Sequence, residues 1–181
     1  MNATETLEGQ PCPVCFKATL TLSETHTEIP HFGRIFILAM NCDECGFKKT
    51  DVECEDEKEP VRLEFEISSV DDLSTRFVKS SEAHLFFPEL KIDIEPGINA
   101  EGYVANLEKT LDDLLAILNG QKEEEEDGAK RKKVRKIVDH LLDVKEGKKT
   151  LTIVVEDPTG ISAILSEKTK KGPLKASRKK K

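Results

Sequence analysis

Cys12-Pro13-Val14-Cys15 and Cys42-Asp43-Glu44-Cys45 are two CxxC pairs, and 26 residues separate them. In a CxxC pair both thiols lie on one tight turn, so both sulfurs can reach the same ion. The intervening segment is long enough for a β-hairpin, which brings the two turns together. Four thiolates complete the tetrahedral shell that zinc prefers. The pattern therefore predicts a zinc ribbon whose structural zinc ion is bound by Cys12, Cys15, Cys42 and Cys45.

Other interpretations of the cysteines are less favourable. Two redox-active CxxC pairs are disfavoured because neither precedes a helix in a βαβ unit. Two disulfides are disfavoured in a reducing compartment. A catalytic zinc needs an open coordination position, which four cysteines do not leave. His26 and His31 lie between the pairs as spare ligands, and we interpret them as surface or turn residues. The fifth cysteine, Cys54, lies among acids and is interpreted as an ordinary strand thiol.

The composition indicates a folded protein with a highly charged surface. The chain has 181 residues, of which 37% are hydrophobic and 35% charged, enough for one domain and a small satellite. The net charge of −7 argues against nucleic-acid binding by the chain as a whole, although Lys168–Lys181 carries only basic charges. No apolar run approaches the roughly 20 residues that cross a bilayer, and no signal peptide is evident. These features predict a cytoplasmic location and no membrane partner.

Short strand patterns fill much of the chain. Residues 1–10 are polar and are predicted to be a disordered leader, and residues 11–50 form the ribbon. The segment 61–67 alternates apolar and polar side chains, as a half-buried strand does. Further strand candidates are 75–79, 84–87, 90–94, 151–155 and 161–165. Strands this short and numerous favour a sandwich or a barrel-like pair of sheets.

The pattern becomes helical in the middle of this region. Asn99 is a candidate helix cap, and two apolar stripes with three- and four-residue spacing follow. Together they predict a helical hairpin, inserted at 99–147 into a β domain that spans 51–166. Residues 167–181 are predicted to be a basic, disordered tail. The stripes consist of Val104, Leu107, Leu111, Leu114, Leu115 and Leu118, then Val134, Ile137, Val138, Leu141 and Leu142.

These motifs in series resemble the ZPR-type zinc-finger family over roughly residues 11–166. The resemblance rests on the CPVC turn at 12–15, CDECGFKKTDV at 42–52, VKSSEAHLFFPELKIDIEPG at 78–97 and EDPTGIS at 156–162. It implies a zinc ribbon joined to a double-stranded β-helix, or jelly-roll-like, domain that carries a helical hairpin: mainly β with an α insertion. The family's late motif commonly reads DP-x-GNS. Here Ile161 replaces the Asn, so a role tied to that Asn does not carry over.

The resemblance also implies a function. Eukaryotic family members have two such modules and act as chaperones of translation elongation factor one-alpha, whereas this chain has one module. We therefore expect a zinc-binding protein-interaction module, not an enzyme. Phe16 and Phe47, which follow the CxxC turns, are the candidate partner contacts, and the acidic segment 51–59 can meet a basic surface. The alternative is an RNA- or ribosome-binding ribbon that acts through Lys168–Lys181.

Overall fold

The computed structural model describes residues 4–29, 33–55, 58–97, 99–124 and 127–174. Its N-terminal part is one antiparallel sheet, the ribbon sheet, in which neighbouring strands follow chain order. The two cysteine turns lie in the β1–β2 and β3–β4 connections at the same end of the sheet. The strands are β1 (Thr4–Gln10), β2 (Leu20–Ile29), β3 (Gly33–Cys42) and β4 (Lys48–Cys54).

The predicted disordered leader is wrong for residues 4–10, which form β1 and pair with β2. The segment has only one apolar side chain, Leu7, so periodicity does not reveal it. Its place in the sheet comes from backbone pairing with residues 10 to 21 positions later, which a local pattern does not encode. The ribbon also extends beyond the predicted boundary at residue 50, because β4 continues to Cys54.

The remaining strands form two sheets that share one core. The larger has the order β12-β5-β10-β7-β8 and the smaller the order β11-β6-β9. The predicted class, mainly β with one helical hairpin, is confirmed. The bounds are β5 (Val61–Ile67), β6 (Arg76–Lys79), β7 (His84–Phe87), β8 (Ile92–Ile94), β9 (Tyr103–Asn106), β10 (Leu151–Asp157), β11 (Ala163–Ile164) and β12 (Lys170–Pro173), with a 3₁₀ helix at Val70–Ser74.

Strand alternation explains this core. In β5 the odd-numbered residues from Val61 to Ile67 are buried, while the charged residues between them face outward. The adjacent β10 supplies Leu151, Ile153 and Val155 to the same cluster. At roughly 25 cal/mol per Å² of buried apolar surface, such a layer supplies most of the driving force for folding.

The hairpin consists of α1 (Leu107–Glu124) and α2 (Gly128–Lys145), which begins at the capping carboxylate of Asp127. It is shorter than predicted: Asn99 caps no helix, because β9 precedes α1. The apolar stripe of α1 is buried at Leu107, Leu111, Leu114 and Leu118, whereas Leu115 is half-buried and Val104 lies on β9 and not on the helix. In α2 the stripe is displaced, since Leu142 is 46% exposed and Val144 is buried instead. Neither helix is long and apolar enough to cross a membrane.

The ribbon packs directly on the β domain through a small apolar cluster. Ile35 and Val52 of the ribbon sheet are almost fully buried against Val78 and Ala163 of the smaller sheet. The Gly102 N–H also donates to the Thr50 carbonyl at 3.0 Å, which ties the β4 edge to the loop before β9. The cluster orients the cysteine end of the ribbon relative to the domain.

The predicted basic tail is partly structured. Lys170–Pro173 forms β12 at the edge of the larger sheet, and Lys168 forms an ion pair of 2.7 Å with the buried carboxylate of Asp72. The tail prediction is therefore wrong for residues 168–173. The lysine-rich composition suggests disorder there. The local sequence does not reveal the anchoring partner, because Asp72 lies 96 residues earlier in the chain. Residues 175–181 lie outside the described residues.

Asp72 makes the fold sensitive to acid. Burial opposes its charge, but Lys168, together with the Ser68 amide and hydroxyl and the Ser69 amide, holds the pKa of this carboxyl well below its usual range. A lowered pKa stabilises the fold above the unfolded value of about 3.9, and this contribution is lost as the pH falls below it. We expect Asp72→Asn to lower the free energy of unfolding by about 1–3 kcal/mol at pH 7.

Urea unfolding of wild type and Asp72→Asn across the pH range checks this prediction. The difference should shrink below about pH 4, where the unfolded wild-type chain takes up a proton at Asp72 while the folded protein, with its lowered pKa, does not. Lys170→Gln is the control, because the Lys170 side chain is 79% exposed in its pair with Glu64 and should contribute under about 1 kcal/mol. An Asp72→Asn effect that is independent of pH would contradict the assignment.

Candidate metal centre

The four predicted cysteines meet at one end of the ribbon sheet, with all four sulfurs within 4.8 Å of one another. The Sγ–Sγ distance is 3.7 Å between Cys12 and Cys45, and also 3.7 Å between Cys15 and Cys42. A tetrahedron with zinc–sulfur bonds of about 2.3 Å has edges of about 3.8 Å. The two shorter distances therefore match the edges of a zinc-centred tetrahedron, and the remaining distances lie within 4.8 Å.

Both cysteine turns close in the same way. In the first, the Phe16 N–H donates to the Cys12 carbonyl at 2.9 Å; in the second, the Gly46 N–H donates to the Cys42 carbonyl at 3.0 Å. Phe16 and Gly46 occupy equivalent positions, and both have a left-handed backbone, with φ of 61° and 71°. Glycine adopts this conformation freely, whereas phenylalanine pays about 1–2 kcal/mol for it.

Two of the four sulfurs have hydrogen-bond partners outside the cluster. The Val14 N–H donates to Cys12 Sγ at 3.4 Å, and the Thr19 hydroxyl lies 3.3 Å from Cys42 Sγ. The Thr19 hydroxyl and the Cys45 N–H lower the pKa of the Cys42 thiol to about 6. A lowered thiol pKa favours the thiolate, which is the form that binds a metal ion.

Cys45 behaves in the opposite way. The Phe47 N–H favours its thiolate, but desolvation and the other three cysteines raise the pKa of Cys45 to about 12. Desolvation disfavours the thiolate, and hydrogen bonding to the neighbouring sulfurs favours the protonated thiol, so without a cation this small volume favours a protonated Cys45. A bound Zn²⁺ supplies two positive charges there, so the donor set fits the metal chemically as well as geometrically.

The surroundings of the cluster suit a structural ion. Cys12 and Cys42 are buried, and Leu20, Leu22, Met40 and Phe47 pack around them. Lys17 and Glu44 form an ion pair that joins the two turns. Four protein ligands would leave no position for water or substrate, which distinguishes this arrangement from a catalytic zinc site.

The structure separates the other candidate residues. Phe16 is 82% exposed at the tip of the first turn, whereas Phe47 is half-buried against the cysteines. His26 lies on β2 beside the ring of Phe36, away from the cysteines, and His31 is outside the described residues. Cys54 ends β4 and packs near Ile35, also away from the metal centre.

Two family models together match most of the chain. The ZPR1 zinc-finger domain matches residues 5–59, and the ZPR1 jelly-roll domain matches residues 71–180. The first match includes all of β1 except Thr4, and the second includes β12, so both segments belong to the matched domains. The jelly-roll architecture that the sequence resemblance implied is therefore confirmed.

Archaeal relatives match this chain over most of its length and over most of their own length. Uncharacterized ZPR1-like proteins of Pyrococcus horikoshii and Methanocaldococcus jannaschii are each 36% identical to this chain over 90% of it, covering 75% and 83% of their own lengths. A protein of Schizosaccharomyces pombe named zinc finger chaperone zpr1 is 28% identical, and the match covers only 30% of its length. From its zinc-ready cysteine cluster, its fold and these matches, this chain belongs to the ZPR1 family of zinc-finger proteins.

Proposed function

We propose that this chain is a zinc-dependent protein-binding module of the cytoplasm that binds translation elongation factor one-alpha as a chaperone or adaptor. In this proposal zinc, held by Cys12, Cys15, Cys42 and Cys45, keeps the ribbon folded, and the ribbon contacts the partner by recognition rather than turnover. The name of the Schizosaccharomyces pombe relative supports chaperone action, and the family resemblance supports the choice of partner.

The observation that carries the proposal is the conformation of Phe16. The apolar ring of Phe16 is 82% exposed. Its backbone is left-handed, a conformation that glycine adopts at the equivalent place in the second turn. Neither burial nor backbone preference explains a phenylalanine there. Strained residues concentrate at functional sites, and exposed aromatic rings on rigid supports make strong anchors in interfaces. Val14, 57% exposed on the same turn, extends this apolar tip.

Phe47 has a different part in the proposal. Its ring is half-buried against Cys12, Leu20 and Cys42, so its contacts shield the metal centre. We assign it to packing and assign the partner contact to Phe16. The acidic segment 51–59 contributes less than its composition suggests, because Asp51 accepts from the Ser81 hydroxyl and Glu55 pairs with Arg34. Glu53 and Glu59 remain as exposed carboxylates in the described part of this segment.

The test is capture of purified elongation factor one-alpha, in GDP and GTP forms, by wild type and Phe16→Gly. Glycine relieves the strain, so the free energy of unfolding should stay constant or rise by about 1 kcal/mol. Capture should nevertheless fall about tenfold or more, as for an anchor worth over about 1.4 kcal/mol. Val70→Ala, at an apolar side chain that is 52% exposed elsewhere, should leave capture unchanged.

Several outcomes would count against this proposal. Undiminished capture by Phe16→Gly would remove the tip from the interface, and no capture of either nucleotide form by folded, zinc-loaded protein would remove the partner. The nucleic-acid alternative is weakened because two lysines of the basic segment already form ion pairs within the protein, Lys168 with Asp72 and Lys170 with Glu64. RNA binding that falls steeply with salt and disappears when residues 175–181 are deleted would favour it.

A further inference from the structure

The outer edge of β1 is open in the described part of the chain. β1 is the terminal strand of the ribbon sheet, and six of its seven residues are exposed. Its sequence, TETLEGQ, contains no proline or lysine, residues that commonly protect the edges of sheets. Thr4 to Leu7 pair regularly with β2 before a register shift ahead of Gln10, and this segment of about 10 Å presents backbone N–H and C=O groups at the outer edge.

An apolar groove adjoins this edge. Its volume is about 560 Å³, and its floor is one face of β1, β2 and β3. The strand register places Leu7 opposite Leu22 and Leu22 opposite Met40, which forms an apolar row across the sheet. Leu7 begins the row at the edge and is 62% exposed.

An acidic row runs beside the apolar one. Two residues before Leu7, Glu5 stands opposite Glu24 across the β1–β2 pair, and Leu38 follows on β3. Like charges placed directly opposite each other destabilise a sheet. Among the described residues no cation pairs with either carboxylate. A ligand that brings a positive charge to this row would relieve the repulsion.

From these rows we infer that the β1 edge binds an extended peptide segment, which adds to the ribbon sheet as a fifth strand. The segment carries an apolar and a basic side chain two residues apart. Because side chains alternate between faces, this spacing puts the apolar group beside Leu7 and the basic group beside Glu5. The inference concerns the segment's chemistry and does not depend on the elongation factor being the partner.

A second copy of this chain is a poorer occupant. Pairing β1 with the β1 of another copy would bring Glu5 and Glu8 of both chains to one edge and add like charges to a row that is already acidic. A basic segment neutralises the same row. Charge complementarity therefore selects a basic, apolar segment of another protein.

The test uses three synthetic peptides of seven residues, acetylated and amidated, with binding to the zinc-loaded full chain measured by NMR. TITKTIT places isoleucine and lysine two residues apart. TITETIT reverses the charge, and TIKTTIT moves the lysine to the opposite face without changing the composition. We expect TITKTIT to bind and the other two to bind about threefold to tenfold more weakly.

Variants locate the binding. Leu7→Thr and the pair Glu5→Gln with Glu24→Gln should each weaken TITKTIT about threefold to fivefold. Glu66→Gln with Asp139→Asn changes the net charge equally at exposed sites elsewhere and should have no effect. With peptide bound, amide exchange should slow within residues 4–10. N-methylation of every second peptide amide should abolish binding when the methylated amides are those that face β1. Methylation of the other set of amides should leave binding intact.

Contrary results are equally clear. Strand addition would be overturned by equal binding of TITKTIT and TIKTTIT, or by binding of both N-methylated sets of peptides. It would also be overturned by NMR chemical-shift changes that lie away from residues 4–10. A dimer in sedimentation that Leu7→Thr dissociates would assign the edge to self-association instead. Phe16→Gly should leave peptide binding unchanged, so this result separates failure here from failure of the turn tip as a partner contact.

Discussion

Replacing Cys42 with serine is expected to release the zinc ion and unfold the ribbon sheet while the jelly-roll domain stays folded. The side chain contributes the thiolate with the lowered pKa, and its backbone closes the second turn through bonds to Phe47 and Gly46. Zinc binding by small ribbons supplies about 10–16 kcal/mol of folding free energy, so losing a ligand removes the largest stabilising contribution to this sheet. The jelly-roll core is a separate apolar cluster and does not include the cysteines.

Metal analysis and amide exchange measure both halves of this prediction. Wild type should contain about one zinc ion per chain, as one four-thiolate site requires. Cys42→Ser should contain little, with fast exchange over residues 4–54 and slow exchange retained in β5 and β10. Cys54→Ser is the matched control, since Cys54 lies outside the metal cluster, and should keep both zinc and protection. A folded, metal-free ribbon in Cys42→Ser, or iron in the wild type, would contradict the structural-zinc assignment.

Replacing Gly160 with alanine is the second change from which we expect a large effect. Gly160 has φ +71°, and a Cβ there would lie 2.2 Å from the backbone oxygen of Glu59 and 2.8 Å from Lys58 Cβ. The left-handed conformation costs alanine about 1 kcal/mol, and the clash with backbone adds about 1–3 kcal/mol of overpacking. Gly160→Ala should therefore destabilise the protein by roughly 2–4 kcal/mol.

Hydrogen bonds restrain the loop around Gly160, so it cannot move readily to relieve the clash. The buried Asp157 carboxylate accepts from the Thr159 N–H and hydroxyl and from the Ser162 N–H, and the Ser162 hydroxyl accepts from the Ser80 N–H at 3.1 Å. These bonds hold Gly160 against the connection between the ribbon and β5. The motif at 157–162, which contributed to the family resemblance, thus packs against the segment that connects the two domains.

Gly9 provides the control for Gly160. Its φ is +69°, almost the same, but nothing lies within 4 Å of an added Cβ. Gly9→Ala should cost only the conformational part, about 1 kcal/mol, in denaturant unfolding at saturating zinc. Equal losses in the two variants would mean that the close approach to Glu59 contributes nothing.

Local sequence patterns were sufficient where the chemistry is local. The two CxxC pairs predicted the cluster of thiols, because ligand spacing within a turn is a property of four consecutive residues. Alternation at 61–67 predicted β5, and the spacing of leucines from 107 to 118 predicted the buried face of α1. The stripe of α2 was less informative, since Leu142 and Val144 have equal apolar character and packing against α1 and the core decides which is buried.

By itself the sequence predicted the cluster of four cysteines, the fold class and the family, since each rests on short motifs or on their order. Only the tertiary structure decided that residues 4–10 and 170–173 are strands, that Lys168 neutralises Asp72, and that Phe16 is exposed while Phe47 is packed. The physical reason is the same in each case. Edge strands, ion pairs and exposure depend on partners tens of residues away, so the free energy that selects them is absent from any local window of the chain.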